Sequence, residues 1–536
     1  MNFDWLTGGG RTDDNRGRGG AQPLVSAEQL PPEAFDEQTL LAFSGAPRGD
    51  HWRVKDAYEG TQIFGATGSG KTSGSGFAIA EKLLKAGFGG LVLTAKPDEY
   101  ETWQRYAAAT GRSADLIRFA PDEGRTFNFL AYEQRFAKKR QNVASRPGEA
   151  GAPSPAPSAD AGLTENVVNL FSAVLESAER SGGNLGGDPF WRRATKQLLR
   201  NAVEILVHSG EALTLANINE IIQTAPQTLA EAESESWSAR SGCFAVLSAA
   251  LENTEEGSSQ RRDVEVSERY WLREFASLAD KTRSSIVTTF TSMADVFLRG
   301  GLREIFSPLN ETKESYTPPD LSHKGAIIVL DMPIKTYNEF GTFAQAAYKF
   351  LWQRAAERRK PKADGQRPVF LWVDEAQYFV SSYDMQFQTT ARSSRVATVY
   401  LTQNISNYYA ILPGDRGRAE TDSLLANFQT KIFHANGDSV TNGWAAELIA
   451  KNWDWRENRS SSISSPQSAA RGSRSGTQFS TSEHQHLEYQ VLPLEFTVLR
   501  KGGKDNDRLV EGIVFQGGRE WSDGRNYAFV EFMQPL

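Results

Sequence analysis

Short, mostly apolar runs recur in two separate parts of the chain, and segments with helical periodicity lie between them. These runs lie at residues 61–64, 90–95, 115–119, 326–331, 368–373, 396–401 and 430–435. A strand with one exposed face alternates apolar and polar residues, whereas a parallel strand covered on both faces does not. The pattern therefore predicts an α/β fold with a mainly parallel sheet.

The middle of the chain has a different pattern. Residues 164–306 show helical periodicity with few strand candidates, for example at 190–200 and 281–298. Asp188 and Pro189 precede the first of these segments as a cap and a first helical residue. The run Ala-Pro-Ser-Pro-Ala-Pro-Ser at 152–158 can continue neither a helix nor a central strand. We therefore predict an all-helical domain inserted into the α/β domain.

Composition narrows the class of protein. The chain has 536 residues, a net charge of −7 and one cysteine, Cys243, which excludes an intramolecular disulfide and a cysteine-cluster metal site. No apolar run reaches the roughly 18–20 residues of a membrane helix, and the start of the chain lacks the pattern of a signal peptide. We expect a cytoplasmic protein whose contacts with DNA come from local basic patches.

One glycine-rich stretch carries the most specific chemistry. It follows the strand candidate at 61–64, precedes a helical segment at 77–85, and matches the P-loop pattern at every position: Gly65, Ala66, Thr67, Gly68, Ser69, Gly70, Lys71 and Thr72. Its backbone N–H groups and the helix N-terminus can surround a phosphate anion. Lys71 would reach the β- and γ-phosphates of ATP, and Thr72 would offer its hydroxyl to Mg²⁺.

A pair of acids follows a second apolar strand. Asp374 and Glu375 end the run 369–373, as in a Walker B motif. Carboxylates at the carboxyl end of a parallel strand lie in the crevice that holds the phosphates. Asp374 would hold Mg²⁺, directly or through water, together with Thr72. Glu375 would orient and deprotonate the attacking water.

Three further polar residues are candidates near this crevice. Gln403 ends the next strand and would contact the γ-phosphate or its water, although a Gln-Asn pair is also an ordinary turn. Arg392 and Arg395 precede Val396, and either could reach a neighbouring subunit's γ-phosphate or be a solvated surface arginine. From the same subunit we expect no cation besides Lys71 and Mg²⁺ to face the reacting phosphate.

The ordered motifs resemble one family, the TraG/TraD-like type IV coupling proteins of conjugation, which are ATPases of the FtsK–HerA class. The resemblance covers roughly residues 55–500. The matching stretches are Gly65–Thr72, Lys96–Glu101, Phe127–Leu130, Asp188–Trp191, Gly325–Pro333, Val373–Gln377, Leu401–Asn404 and Asn427–Ile432. The long separation between Lys71 and Asp374 favours a helical insert, since small P-loop folds place these motifs closer together.

The resemblance implies a RecA-like P-loop NTPase fold, ATP and Mg²⁺ as cofactors, and a homo-hexameric ring around single- or double-stranded DNA. It further implies a helical domain that contacts a relaxase or other transfer proteins. Arg392 corresponds best to the family's trans-acting arginine, although Ala391 stands where many members have glycine. Typical members begin with membrane-spanning helices that this sequence does not show, so we expect a membrane-anchored partner to recruit it to the inner membrane.

The predicted organisation has seven segments. They are a disordered N-terminal tail (1–45), a first part of the nucleotide-binding domain (46–140), a Pro/Ala/Ser-rich linker (141–163), an inserted all-α domain (164–306), a second nucleotide-binding part (307–455), a flexible Ser/Arg-rich loop (456–482) and C-terminal strands that complete the nucleotide-binding domain (483–536), including one at 495–500.

The sequence favours a DNA-translocating ATPase and leaves two alternatives open. One is a HerA-like ATPase that powers protein export or a nuclease partner in defence. The other is a nucleotide-gated recruitment platform without motor activity. Candidate DNA patches are Lys138–Arg140 and the run Arg192, Arg193, Lys196 and Arg200, although for any single patch the sequence favours a solvated face.

Overall fold

A nine-stranded sheet organises the part of the chain that the structure describes. The computed structural model describes residues 24–45, 50–144, 159–181, 189–308, 311–412, 414–463 and 477–535. Its strands are β1 (Thr39–Ala42), β2 (His51–Arg53), β3 (Thr61–Phe64), β4 (Gly89–Leu93), β5 (Leu116–Phe119), β6 (Ile327–Leu330), β7 (Val369–Val373), β8 (Val396–Thr402), β9 (Thr430–Phe433), β10 (Lys451–Ile463), β11 (Thr477–Tyr489), β12 (Leu509–Gln516) and β13 (Tyr527–Met533).

The sheet is parallel except at one edge. The strand order is β13-β12-β9-β3-β8-β7-β4-β6-β5. The seven strands from β9 to β5 pair in parallel, whereas β12 is antiparallel to both β9 and β13. The predicted α/β fold with a mainly parallel sheet is confirmed. Strands β3, β8 and β7 are neighbours, so the loops after their carboxyl ends lie side by side at one sheet edge.

Helices surround the sheet. They are α1 (Pro32–Asp36), α2 (Val54–Ala57), α3 (Phe77–Lys85), α4 (Glu99–Ala109), α5 (Phe129–Ala144), α6 (Ala159–Ser181), α7 (Pro189–Ser209), α8 (Leu215–Thr224), α9 (Leu229–Ala232), α10 (Glu235–Ser238), α11 (Gly242–Glu252), α12 (Ser259–Arg269), α13 (Asp280–Leu298), α14 (Gly300–Phe306), α15 (Ile334–Tyr337), α16 (Glu339–Arg358), α17 (Ser382–Ala391), α18 (Ile405–Ile411), α19 (Gly414–Asn427) and α20 (Ser439–Ile449). Among the described residues, none of these helices combines the length and apolar character that crossing a membrane requires.

Both faces of the sheet are buried, which explains the continuous apolar runs. Successive strand residues point to opposite faces. Leu91 and Leu93 of β4 accordingly belong to one buried cluster, and Val92 between them belongs to the other. The first cluster continues without a break into the helices between β5 and β6, including Phe171 and Phe290. The helical segment therefore shares its core with one face of the sheet.

The predicted tail (1–45) and the predicted linker (141–163) both include residues that the structure shows as folded. In the predicted tail, residues 24–45 are folded, and Phe35 and Leu40 are buried against the second face of the sheet; residues 1–23 lie outside the described residues. The predicted linker 141–163 begins and ends in helix, since α5 reaches Ala144 and α6 starts at Ala159. The composition of a long segment does not reveal the few apolar residues that pack its ends against the rest of the protein.

Two predictions in the C-terminal part also need correction. The predicted loop 456–482 contains the antiparallel ribbon of β10 and β11, in which Lys451 pairs with Tyr489 and Ile463 with Thr477. Residues 464–476 lie outside the described residues. The predicted strand 495–500 is a 3-10 turn at Glu495–Thr497, because the Glu495 side chain accepts a hydrogen bond from the Leu492 N–H and folds the chain back.

A buried lysine in the sheet generates a test of this packing. Lys431 in β9 is 3% exposed, and burial lowers its pKa to about 8 from 10.5 in the unfolded chain. Below pH 8 the ammonium is charged in both states, so its desolvation opposes folding fully. This cost declines as the pH rises through 8 and is absent above about 10.5.

We therefore expect Lys431→Met to raise the free energy of unfolding by roughly 1–3 kcal/mol at pH 7. The gain should disappear in alkaline solution, where the wild-type side chain is neutral. Urea unfolding at several pH values measures it, and the exposed Lys313→Met serves as the control. A destabilised Lys431→Met protein at pH 7 would contradict the analysis.

Candidate nucleotide-binding site

The P-loop lies at the carboxyl edge of the sheet, directly after β3. Gly68 and Gly70 have φ angles of +73° and +84°, which side chains with a Cβ rarely adopt. A Cβ on Gly70 would also lie 2.5 Å from Cγ2 of Val510 in β12. Gly68 is thus required for its backbone conformation alone. Gly70 is required for its backbone conformation and also because β12 packs against it.

The helix that follows the P-loop begins with a π-helical turn, Thr72–Gly76. His434, just after β9, holds this turn from behind. Its Nδ1 donates to the Glu511 carbonyl at 2.7 Å, and its Nε2 accepts from the Ser75 hydroxyl, also at 2.7 Å. Burial lowers the pKa of His434 to about 4. The hydrogen bond to the Glu511 carbonyl acts to raise this pKa, whereas the nearby charge of Lys71 acts to lower it further. His434 is therefore a neutral structural link, which the sequence analysis missed.

The structure brings the two acids to the P-loop. Thr72 Oγ1 donates to Asp374 Oδ2 at 3.2 Å, and Lys71 Nζ lies 3.9 Å from Glu375 Oε1. Both carboxylates are almost fully buried. Glu375 has a left-handed backbone conformation with φ of +51°, so the chain changes direction there as it leaves β7.

Two glutamines hold the Glu375 carboxylate. Gln377 Nε2 donates to Oε2 at 3.0 Å, while its own carbonyl accepts from the Thr402 hydroxyl at 2.8 Å. Gln403 Nε2 lies 3.4 Å from Glu375 Oε1. Neighbouring strands β7 and β8 thus meet at this acid. Gln377 was missed as a site residue, although it stands in the quoted stretch Val373–Gln377.

A second lysine completes the cluster. Lys96 follows β4, and its Nζ lies 3.0 Å from Glu375 Oε1 and 3.5 Å from Asp374 Oδ2. Burial acts to lower the pKa of Lys96, but the charges of Asp374 and Glu375 outweigh it and raise the pKa. The sequence analysis assigned no role to Lys96, and its place in the stretch Lys96–Glu101 was the only signal.

Glu375 is ionised in this setting. Burial acts to raise its pKa, but the hydrogen bond from Gln377 and the charges of Lys71 and Lys96 lower it to about 2. Nearby Glu99 shows the opposite shift, because burial and the charge of Asp374 raise its pKa. Two neighbouring carboxyls therefore differ in charge, and Glu375 is the one positioned to accept a proton.

The two arginine candidates lie at the other sheet edge, near the start of β8. Arg392 is an exposed residue at the end of α17, and its NH1 lies 3.0 Å from Glu59 Oε1. Arg395 as a reserve candidate is wrong, because its side chain is 5% exposed and bonds Asp36 at 2.7 Å. Its guanidinium also lies 5.7 Å from the centroids of the Phe35 and Tyr58 rings, which shows a structural role.

The cluster opens into a cavity of about 750 Å³ bordered by the P-loop. Lys335, Arg105 and Tyr106 line its other walls together with Lys96. Besides Lys71, the same subunit therefore places three further cations around this cavity, which the sequence analysis did not anticipate. Lys96, Lys335 and Arg105 come from loops and helices whose spacing in the sequence gives no sign that they converge.

The donor atoms fit a nucleotide with Mg²⁺. The Thr72 hydroxyl and the Asp374 carboxylate are adjacent hard oxygen donors, the type that Mg²⁺ prefers alongside phosphate and water oxygens. No group of three or more His, Cys, Asp or Glu side chains within the described residues forms a metal site of its own. Ser69 Oγ, in the P-loop, is buried and has no hydrogen-bond partner among the described residues.

Comparisons with known proteins point to coupling proteins. Residues 368–494 match the family model described as the TraM recognition site of TraD and TraG. The fold is similar to the bacterial conjugative coupling protein TrwB in its unbound form, at a TM-score of 0.53 and 14% identity over 96% of this chain and 92% of that one.

Two structures of the plasmid coupling protein TrwB with bound nucleotides are similar to the same degree. The complex with ADP and Mg²⁺ has a TM-score of 0.52 and the complex with ADPNP has 0.53, each at 14% identity over 96% of this chain and 93% of that one. No curated protein sequence matches the chain. The resemblance to TraG/TraD-like coupling proteins and the RecA-like fold are confirmed.

Proposed function

We propose that this chain is a Mg²⁺-dependent ATPase that assembles into a homo-hexameric ring and translocates or recruits DNA in a conjugation-like transfer. The observation that carries the proposal is that Lys71, Thr72, Glu375 and Gln403 line one cavity and that Asp374 accepts a hydrogen bond from Thr72 beside it. These residues come from distant parts of the sequence and occupy the carboxyl ends of three adjacent strands. TrwB, a coupling protein of similar fold, has been solved with ADP and Mg²⁺.

Each side chain has a role in phosphoryl transfer. The P-loop backbone and Lys71 bind the β- and γ-phosphates, and Thr72 with Asp374 would hold Mg²⁺. When bound, Mg²⁺ would neutralise charge on the phosphate oxygens. Glu375 orients the attacking water and accepts its proton, since its carboxylate is ionised and fixed by Gln377. Gln403, within 3.4 Å of Glu375, would contact the same water and transmit the state of the site to β8.

Lys96 acts as a gate on Glu375. Its ammonium pairs with both acids, so in this arrangement protein cations engage the Glu375 carboxylate. A γ-phosphate in the cavity would compete for Lys71 and Lys96 because it carries more negative charge than one carboxylate. Binding of ATP would then release Glu375 for water, and loss of the γ-phosphate would restore the pair.

DNA and transfer proteins are the proposed partners. Of the two basic patches, Arg200 pairs with Glu165 at 2.6 Å, and the side chains of Lys138–Arg140 lie outside the described residues. Arg192 and Arg193 are exposed on α7. The stretch 368–494 matches a region described in TraD and TraG as a TraM recognition site, and we propose that it contacts a transfer protein here as well, including a membrane-anchored one.

The first prediction of this proposed function concerns hydrolysis. Lys71→Ala should weaken ATP binding because it removes the cation at the phosphates. Glu375→Gln should preserve binding and lower kcat by roughly 10²–10⁴, the usual contribution of a general base. Nucleotide titration and phosphate release measure the two effects separately. The exposed Glu339→Gln is the control, and near-normal turnover by Glu375→Gln would refute the assignment of the base.

The second prediction concerns the arginine that acts between subunits. Arg392 is exposed and lies at the sheet edge away from its own P-loop, so it can reach only a neighbour's site. Arg392→Ala should lower kcat by roughly 10³–10⁵ without weakening ATP binding. Activity per subunit of the wild type should rise with protein concentration, and that rise should be lost in the variant.

Mixing separates this role from simple loss of fold. Rings that combine Arg392→Ala with Lys71→Ala subunits should recover activity, since one kind supplies the nucleotide site and the other supplies the arginine. Arg395→Ala serves as a contrast, because it should lower thermal stability through the loss of its bond to Asp36. No recovery in rings shown by mass to be mixed would count against Arg392.

The third prediction tests DNA as the cargo. ATP turnover should rise on addition of single- or double-stranded DNA, and DNA affinity measured with ADPNP should fall steeply with salt. For 6–10 phosphate contacts the expected loss is roughly 10³–10⁵ between 50 and 200 mM salt. Activity that DNA leaves unchanged, with no binding at low salt, would favour a recruitment platform or a protein-exporting ATPase.

A further inference from the structure

A second cavity lies at the opposite edge of the sheet from the P-loop. Its volume is about 530 Å³, and its walls come from α5, the 3-10 turn Pro319–Lys324, the end of α16 and the loop that follows. These segments lie at the amino ends of β6 and β7: the Arg367 N–H donates to the His323 carbonyl at 2.9 Å, just before the two strands begin. The P-loop cavity lies at the carboxyl ends of the same sheet, so the two are separate.

Three of the residues that line this cavity each carry a buried polar atom without a partner. The atoms are His323 Nε2, Arg359 Nε and Gln366 Oε1, none of which has a hydrogen-bond partner among the described residues. His323 is 3% exposed. An unsatisfied buried polar atom costs roughly 1–3 kcal/mol, so native proteins contain few of them. Three such atoms beside one cavity are polar groups that a bound polar ligand would satisfy.

The charges around the cavity are unbalanced. Arg358 forms a two-point pair with Glu133 at 2.7 and 2.9 Å, and Arg135 pairs with Glu311 at 2.9 Å, so these two arginines are neutralised. Lys324, Lys360 and the guanidinium of Arg359 have no ion-pair partner within the described residues. Arg359 donates instead to the carbonyls of Arg367 and Ser394.

On the acidic side, Asp320 is the carboxylate that lines the cavity, and its Oδ1 lies 3.6 Å from His323 Nδ1. Burial, with a contribution from the charge of Arg359, lowers the pKa of His323 to about 3, so its imidazole is neutral. One acid therefore faces three unpaired cations, and this surplus of positive charge favours an anion.

Aromatic rings supply an apolar part of the cavity wall. Tyr132, Phe136 and Tyr316 line the cavity. Arg358 lies 4.6 Å from the centroid of Phe136, and Arg135 lies 4.9 Å from that of Tyr316. Planar guanidinium and aromatic surfaces of this kind stack well on a flat ligand.

We propose that this second cavity binds a nucleoside monophosphate unit. Its base would lie against the aromatic wall, the neutral His323 imidazole and the Gln366 amide would bond the base edge, and Lys324 with Lys360 would hold the phosphate. The volume is in the range of small-molecule sites, about 300–1,000 Å³. The unit can come from a free nucleotide or from the 5′-phosphorylated end of a strand, which share this chemistry.

Binding of AMP to the full-length Lys71→Ala protein tests the proposal, because the P-loop acts mainly on β- and γ-phosphates and this variant weakens it further. Calorimetry should detect one AMP per chain. Replacing Lys324 and Lys360 together by glutamate should weaken AMP by at least roughly tenfold, since both cations become anions at the phosphate. Lys281→Glu, at an exposed site in α13, should leave AMP affinity unchanged.

Three ligands, AMP, inorganic phosphate and the dinucleotide pTpT, distinguish which parts of the nucleotide the cavity recognises. Gln366→Leu should weaken AMP and leave the weaker binding of inorganic phosphate unchanged. If the 5′-phosphorylated dinucleotide pTpT binds more tightly than AMP, the unit belongs to a strand end; if AMP binds more tightly, it is a free nucleotide. Circular dichroism checks that each variant is folded.

Several results would overturn the proposal. They are no AMP binding to the folded Lys71→Ala protein, AMP affinity that survives the reversal of both lysines, or inorganic phosphate that binds as tightly as AMP. None of these outcomes depends on ATP hydrolysis, so the proposal stands or falls independently of the ATPase function.

Discussion

The structure depends on opposite charges being buried together at the carboxyl edge of the sheet. Lys71, Asp374 and Glu375 are buried there, and the partly exposed Lys96 pairs with both acids. An unpaired charge there would cost several kcal/mol, so each group requires the others. Three loops must therefore arrive at one point, and the parallel arrangement of β3, β4 and β7 brings them there. The two lysines of this cluster could bind a γ-phosphate in place of a carboxylate, because both groups are anions.

The helical segment and the antiparallel edge support this arrangement in different ways. The helices between β5 and β6 extend the core of one sheet face, so the segment cannot shift without disturbing that face. On the other side β12 packs Val510 against Gly70, and His434 ties the start of the P-loop helix to β12 through the Glu511 carbonyl. The antiparallel strand β12 therefore contacts the phosphate-binding loop and the start of the following helix.

The two sheet edges hold different chemistry. At the carboxyl edge the cations face carboxylates, whereas at the amino edge Arg359, Lys324 and Lys360 face carbonyls, aromatic rings and one acid. Arg392 is also at the amino edge, exposed and paired only with Glu59 among the described residues. A ring in which one subunit's amino edge meets the next subunit's nucleotide site would place this arginine opposite the γ-phosphate.

Much of this could be predicted from local sequence. The P-loop, the Asp374–Glu375 pair and the positions of the parallel strands along the chain follow from short-range rules, because backbone conformation and residue type along a few positions determine them. The same holds for the parallel sheet, since a strand buried on both faces must be apolar throughout. The anchoring of residues 24–45, the ribbon of β10 and β11 and the turn at 495–497 could not be predicted, because each depends on contacts with residues far along the chain.

The sequence by itself determined which residues can bind a phosphate and a metal ion. Only the tertiary structure decided which cations face them. Lys96, Lys335 and Arg105 carry no distinguishing local pattern, and Arg392 and Arg395 are three positions apart with the same side chain. One arginine is buried against Asp36 and the other is exposed, because the chain turns between them at the end of α17. Charge pairing acts through space, and the distances that decide it exist only after the strands have assembled.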